Sequence, residues 1–123
     1  MYSIDEINDM LDEIASMLPE EVFRELNGGV SLLPETKWNN KGMRDGLYTL
    51  GEYRWDQLGR YIVLYYGSII AVHGGETREE LIESLRRLLA HELTHHIESL
   101  AGERELEKED ERKLNEYRNN INR

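Results

Sequence analysis

The chain has 123 residues, 39% hydrophobic and 33% charged, with no cysteine and a formal net charge of −10. That length holds one modest core and is too short for two. The acidic balance disfavours nucleic acid, whose phosphates want a basic face, and the missing cysteines exclude a disulfide framework and leave only nitrogen and oxygen to hold any zinc.

Ser3 and Glu6 have the spacing of a capping box, and Ile4, Ile7, Leu11, Ile14 and Leu18 recur at helical intervals, so residues 4–18 are predicted as an amphipathic helix. Pro19 interrupts it, and "EEVFREL" predicts a short second helix that ends at "NGG", 27–29. From 30 to 72 the pattern changes: "VSLL", "LYTLGEY" and "YIVLYYGSIIAV" are β-branched and aromatic, separated by "NNKGMRDG" and "RWDQLGR". These read as three or four strands of a small, mostly antiparallel sheet, closed by "HGG" at 73–75. The longest apolar run, "YIVLYY", cannot span a bilayer. The N-terminus "MYSIDEINDM" lacks the basic region and apolar core of a signal peptide, so a cytoplasmic location is expected.

Thr77 and Glu80 form a second capping box, which opens a long helix at about 78–101. On it Ile82, Leu85, Leu89, Leu93, Ile97 and Leu100 share one apolar arc, and Gly102 is placed to stop it. Residues 105–121 read as a further helix with Leu106, Leu114, Tyr117 and Ile121 on one stripe, and the last residues, "NNINR", are expected to fray. The expectation is one α+β domain over 1–123: a small sheet with an N-terminal helix, a long helix bearing the site and a C-terminal helix.

The long helix contains "HELTHHIESLAG", 91–102, with three of the chain's four histidines. His91-Glu92-Leu93-Thr94-His95 is an HExxH pattern in the helical context that such a site requires. Positions i and i+4 stack on one face, so both imidazoles reach a single zinc ion, and the intervening glutamate is placed as general base toward the bound water. Zinc lowers that water's pKa toward ~7. The competing reading is a chance HExxH in a Glu-rich helix. His96 falls inside the apolar arc and is expected to pack with one hydrogen bond. His73, in a Gly-rich turn, is expected to lie outside the site.

A catalytic zinc usually has three protein ligands. If the chain turns at 102–104 and returns antiparallel, His95 faces the region 109–111. There Asp110 interrupts the apolar stripe of Leu106 and Leu114, and an inward carboxylate needs a compensating charge. Asp110 is the preferred third ligand, with Glu107, Glu109 and Glu98 as alternatives and a buried ion pair with an arginine or lysine as its other explanation. Three ligands from one straight helix make poor tetrahedral geometry, which ranks Glu98 below a group on another element.

With "LPEEVFREL", "IVLYYGSI" and "LLAHELTHH" in this order, the chain resembles the small bacterial zincin-like metallopeptidases, often called minimal zincins. The resemblance covers most of the chain. It implies zinc at His91 and His95, Glu92 as catalytic base and an acidic ligand downstream. Many members carry glycine three residues after the second motif histidine, followed closely by an aspartate ligand. Here that position is Glu98, and "SLAGERELEK" precedes "EDER", which delays the acidic ligand to about Asp110.

The expected function is a metallopeptidase with one Zn2+ ion, acting on a peptide or protein substrate and binding neither nucleic acid nor membrane. The strand 61–66 is expected at the sheet edge, holding an extended peptide by backbone pairing. Tyr61, Tyr65 and Tyr66 are expected to pack, with oxyanion stabilisation as their alternative. A non-catalytic metal-binding or interaction domain is the main alternative, and a metal-dependent ribonuclease is disfavoured by the charge.

Overall fold

The computed structural model describes residues 1–39 and 46–121. Most of the expected connection "NNKGMRDG", the end of "NNINR" and the side chain of Ile121 lie outside the described residues.

Helix α1 (Ile4–Met17) begins with the expected reciprocal box between Ser3 and Glu6, and it buries Ile7, Met10, Leu11 and Ile14. A single 3-10 turn, Glu20–Phe23, stands where the second short helix was expected. Three strands follow in one sheet, β1 (Gly29–Leu33), β4 (Gly51–Asp56) and β5 (Gly59–Tyr65). Their order is β1-β5-β4. Strand β4 runs antiparallel to β5, with Gly51 opposite Leu64. Strand β1 runs parallel to it, with Gly29 opposite Tyr61. Two short strands, β2 (Lys37–Trp38) and β3 (Tyr48–Thr49), pair antiparallel as a separate ribbon. The architecture is α+β as expected, but the main sheet is mixed.

The expected final strand is cut in half. After Tyr65 the chain turns into helix α2 (Tyr66–His73), so "GSIIAV" is helical. A short continuous apolar run does not distinguish strand from buried helix by period alone. What selects helix here is a close approach at its first turn. The Gly67 amide donates to the Glu35 carbonyl at 3.0 Å, and a Cβ on Gly67 would lie 2.1 Å from the Thr36 hydroxyl. The Ser68 hydroxyl accepts from the Lys37 amide and donates to its carbonyl. In the order β1-β5-β4, β5 is the central strand, not an edge, and β1 and β4 are the two edges.

Helix α3 begins at Arg78, capped by the Thr77–Glu80 pair as expected, and runs unbroken to Ile121. The stop at Gly102, the turn at 102–104 and the returning C-terminal helix are all absent. Glycine inside a helix costs only about 1 kcal/mol against alanine, and here the flanks outweigh it. Arg60 bridges the glycine from β5, donating to Ser99 before it and Glu103 after it. Beyond it, Glu105–Lys108, Glu109–Arg112 and Arg112–Glu116 pair at i,i+3 and i,i+4 spacing. The core-facing line of α3 is Leu81, Leu85, Leu89, Leu93 and His96, packed with α1, Ile62, Leu64 and Ile69. Ile97, expected in that line, is 48% exposed. No helix among the described residues is long and apolar enough to cross a membrane.

A Cβ on Gly102 would meet nothing within 4 Å. Gly102→Ala is therefore expected to raise stability or helicity by up to about 1 kcal/mol. The checks are far-UV circular dichroism and denaturant unfolding; a loss of stability would reinstate a break in the helix at this residue.

Candidate metal centre

The site forms where the middle of α3 passes beneath the edge strand β4. An open cleft of about 820 Å3 is lined by Gly51, Glu52 and Tyr53 from β4 and by His91, Glu92, His95, Glu98 and Ser99 from α3. His91 and His95, one helical turn apart, both project into it. Their Nε2 atoms lie 3.2 Å from each other, and the rings meet edge to face at 86°. One donor atom from each of His91, Glu92 and His95 falls within a 4.8 Å group. The chemistry of this donor set suits zinc. Two nitrogens on a tetrahedral zinc, each at ~2.0–2.1 Å, stand about 3.3–3.4 Å apart, close to the separation seen between the two histidines.

Glu92 differs from its neighbours in burial, with 5% of its surface exposed against two exposed histidines. Burial pushes its carboxyl above the usual carboxylate range and the charge of Glu52 adds to this, while His91, His95 and a hydrogen bond from the Tyr53 backbone pull it back down. Glu52 lies on the same cleft wall in a different state. Burial would raise it too, but Lys37 and Arg54 both bind its carboxylate and hold it below the ordinary range.

His96 behaves as expected in being packed away from the cleft, with no exposed surface. It makes two hydrogen bonds rather than one. Its Nε2 lies 2.7 Å from the Arg24 carbonyl and its Nδ1 lies 2.9 Å from the Tyr53 hydroxyl. A carbonyl can only accept, so Nε2 carries a proton, and in the tautomer this selects Nδ1 accepts from the Tyr53 hydroxyl. His73 is outside the cleft, with its Nδ1 2.8 Å from Glu76, two residues before α3 begins.

The third-ligand expectation fails for Asp110. On an unbroken helix it lies fifteen residues past His95, about 22 Å along the axis, and it is exposed. Glu107 and Glu109 are carried away by the same rise. Of the four sequence candidates only Glu98 lines the cleft, exposed and one turn beyond His95. The three tyrosines also have other duties. Tyr61 donates to Asp56 at 2.6 Å, Tyr65 accepts from Arg54 at 3.0 Å and Tyr66 donates to the Tyr2 carbonyl. Glu52 and Tyr53 were missed by sequence reasoning. No motif marks them; the one signal was their position in the predicted strand "LYTLGEY".

No family model matches the chain, and no curated protein matches it. Among solved structures, a conserved hypothetical protein from Thermo thermophilus matches with a TM-score of 0.69 and 32% sequence identity, over 81% of this chain and 98% of that one.

The burial of Glu92 makes a prediction for the metal-free protein. Its folded-state pKa is raised above the unfolded value, so folding favours the protonated acid and the ionised form is penalised as pH rises through the raised value. Glu92→Gln removes that penalty. In chelator-treated protein the variant is expected to be the more stable one at pH 7, with the gap closing as pH falls below ~4, where both states become protonated. Denaturant unfolding across that range checks it, and equal stabilities throughout would contradict the burial effect.

Proposed function

We propose that this chain, which belongs to the same family as the conserved hypothetical protein from Thermo thermophilus, is a cytoplasmic zinc-dependent peptidase of the minimal zincin kind. The observation that carries the reading is the coincidence of three features at one place. Two imidazole nitrogens stand 3.2 Å apart, a buried carboxyl lies between them in sequence, and both sit under an edge strand that walls an open cleft.

His91 and His95 would hold the ion through Nε2; Glu98 is the one sequence candidate that lines the cleft, but as a third ligand from the same helix it would complete a tetrahedron poorly. When bound, zinc supplies Lewis acidity and brings the pKa of its water toward ~7. Glu92 would take a proton from the attacking water and return it to the leaving amine. Burial raises its pKa, the direction that favours a group that must both take and give a proton. The Tyr53 backbone on β4 faces the same carboxyl.

The substrate class follows from the edge. Among the described residues strand β4 pairs with β5 on one side only, so an extended peptide can add to its other side and lie across His91 and His95. The edge is β4 rather than 61–66, which relocates the expected substrate strand without changing the mode. Neither nucleic acid nor membrane is needed by this reading.

Metal analysis of protein purified without chelator is expected to give about one zinc per chain, lost in His95→Ala. Asp110→Ala should leave the zinc content unchanged, since that residue is remote. Glu92→Gln should keep zinc while cleavage of a peptide library, read by mass spectrometry, falls about 10²–10⁴-fold. Zinc bound with no cleavage of any peptide would leave a metal-stabilised interaction domain instead; no zinc and no uptake would end the metal reading altogether.

A further inference from the structure

The last third of α3 contributes nothing to the core. From Arg104 to Asn120 every residue except Glu109 is exposed, and Leu106, Leu114 and Tyr117 are left 68%, 48% and 63% exposed. These residues are not scattered round the helix. At about 100° per residue, Leu106, Asp110, Lys113, Leu114 and Tyr117 fall within an arc of about 100°. Leu106, Asp110, Lys113 and Tyr117 also follow one another at intervals of four, three and four, the alternation of a two-helix seam.

Charge gives this seam a direction. Residues 103–111 hold six acidic side chains against Arg104 and Lys108, a net −4, whereas 112–118 hold Arg112, Lys113 and Arg118 against Glu116, a net +2. Within the stripe itself, Asp110 makes no ion pair among the described residues, and Lys113 has only a 3.9 Å approach to Glu109.

We infer that this arm is a self-association surface whose occupant is the arm of a second copy, paired antiparallel. Setting Leu106 against Tyr117 of the other copy sets Asp110 against Lys113, and two-fold symmetry repeats both contacts. The acidic half of each arm then lies on the basic half of the other. A parallel pair would align the two acidic halves and crowd two bodies at one end. In the antiparallel pair residue 103 faces residue 120, so the bodies attach about 26 Å apart along the axis and do not collide. The register also brings Glu109 near Glu116 of the second copy. Arg112 already binds both of these residues within its own chain, which reduces the repulsion. Two apolar layers flanking two ion pairs are a small interface, below the ~1,200 Å2 of stable complexes. The dimer is therefore weak, concentration-dependent and sensitive to salt. Nothing in it depends on the metal centre.

Sedimentation equilibrium on the full chain tests this, because the ion pair can be reversed and restored. The parent is expected to move with concentration from 14.5 kDa toward twice that mass. Asp110→Lys, which places like charges in both central layers, should weaken the dimer about tenfold or more. Asp110→Lys combined with Lys113→Asp should recover the parent's association. Circular dichroism checks that each variant remains as helical as the parent. A chain that stays monomeric at every concentration overturns the proposal and assigns the stripe to a different protein. Single and double variants that associate alike overturn the register.

Discussion

Everything at the site hangs on one buried contact chain, from the Arg24 carbonyl through His96 to the Tyr53 hydroxyl. It joins three elements that are distant in sequence: the segment after the 3-10 turn, helix α3 and the edge strand β4. Because the carbonyl fixes the tautomer, the imidazole has one donor and one acceptor, each already spoken for. Removing either partner would strand a buried polar atom, at a cost of about 1–3 kcal/mol. The link therefore sets how high β4 rides over the helix, and thus the width of the gap in which His91 and His95 face Gly51 and Glu52.

From that height the rest of the electrostatics follows. Tyr53 bonds His96 through its hydroxyl and faces Glu92 with its backbone, so one residue touches both the anchor and the proposed base. Glu52, its neighbour, turns to Lys37 and Arg54 and stays ionised. Two carboxyls on one cleft are thus pushed apart by their surroundings. The one beneath the strand is buried and rises; the one with two cations falls. Such a separation is the usual way a site assigns a proton carrier and a fixed charge to chemically similar groups.

What could be read in the sequence was local. Both capping boxes, the start of α3 and the stacking of His91 on His95 depend on residues three or four apart, and each appears as expected. Packing of His96 was also legible, since its angle on the helix is a local quantity, though its second partner, Tyr53, was not. Features fixed by distant chain went unread. Tyr66–His73 is helical because Gly67 meets Glu35 and Thr36, which the apolar letters of that run do not reveal. Gly102 does not end α3 because Arg60, forty-two residues earlier, grips both of its flanks. From that single misjudged glycine came the misplaced third ligand: Asp110 was chosen on the geometry of a hairpin that does not exist.

The continuity of α3 has an electrical side. A helix concentrates its partial charges in its first and last turns. Had α3 ended near residue 101, its free carbonyls would have pointed their negative end at a place one to two turns from His95. In the 44-residue helix every carbonyl near the histidines is already hydrogen-bonded within the helix, and the negative pole lies about 39 Å away, beyond the body of the protein. The backbone field at the cleft is therefore close to neutral. Its charge is set by side chains alone: Lys37 and Arg54 offset Glu52, burial disfavours the charge on Glu92, and Glu98, with no ion pair among the described residues, leaves the cleft attractive to cations.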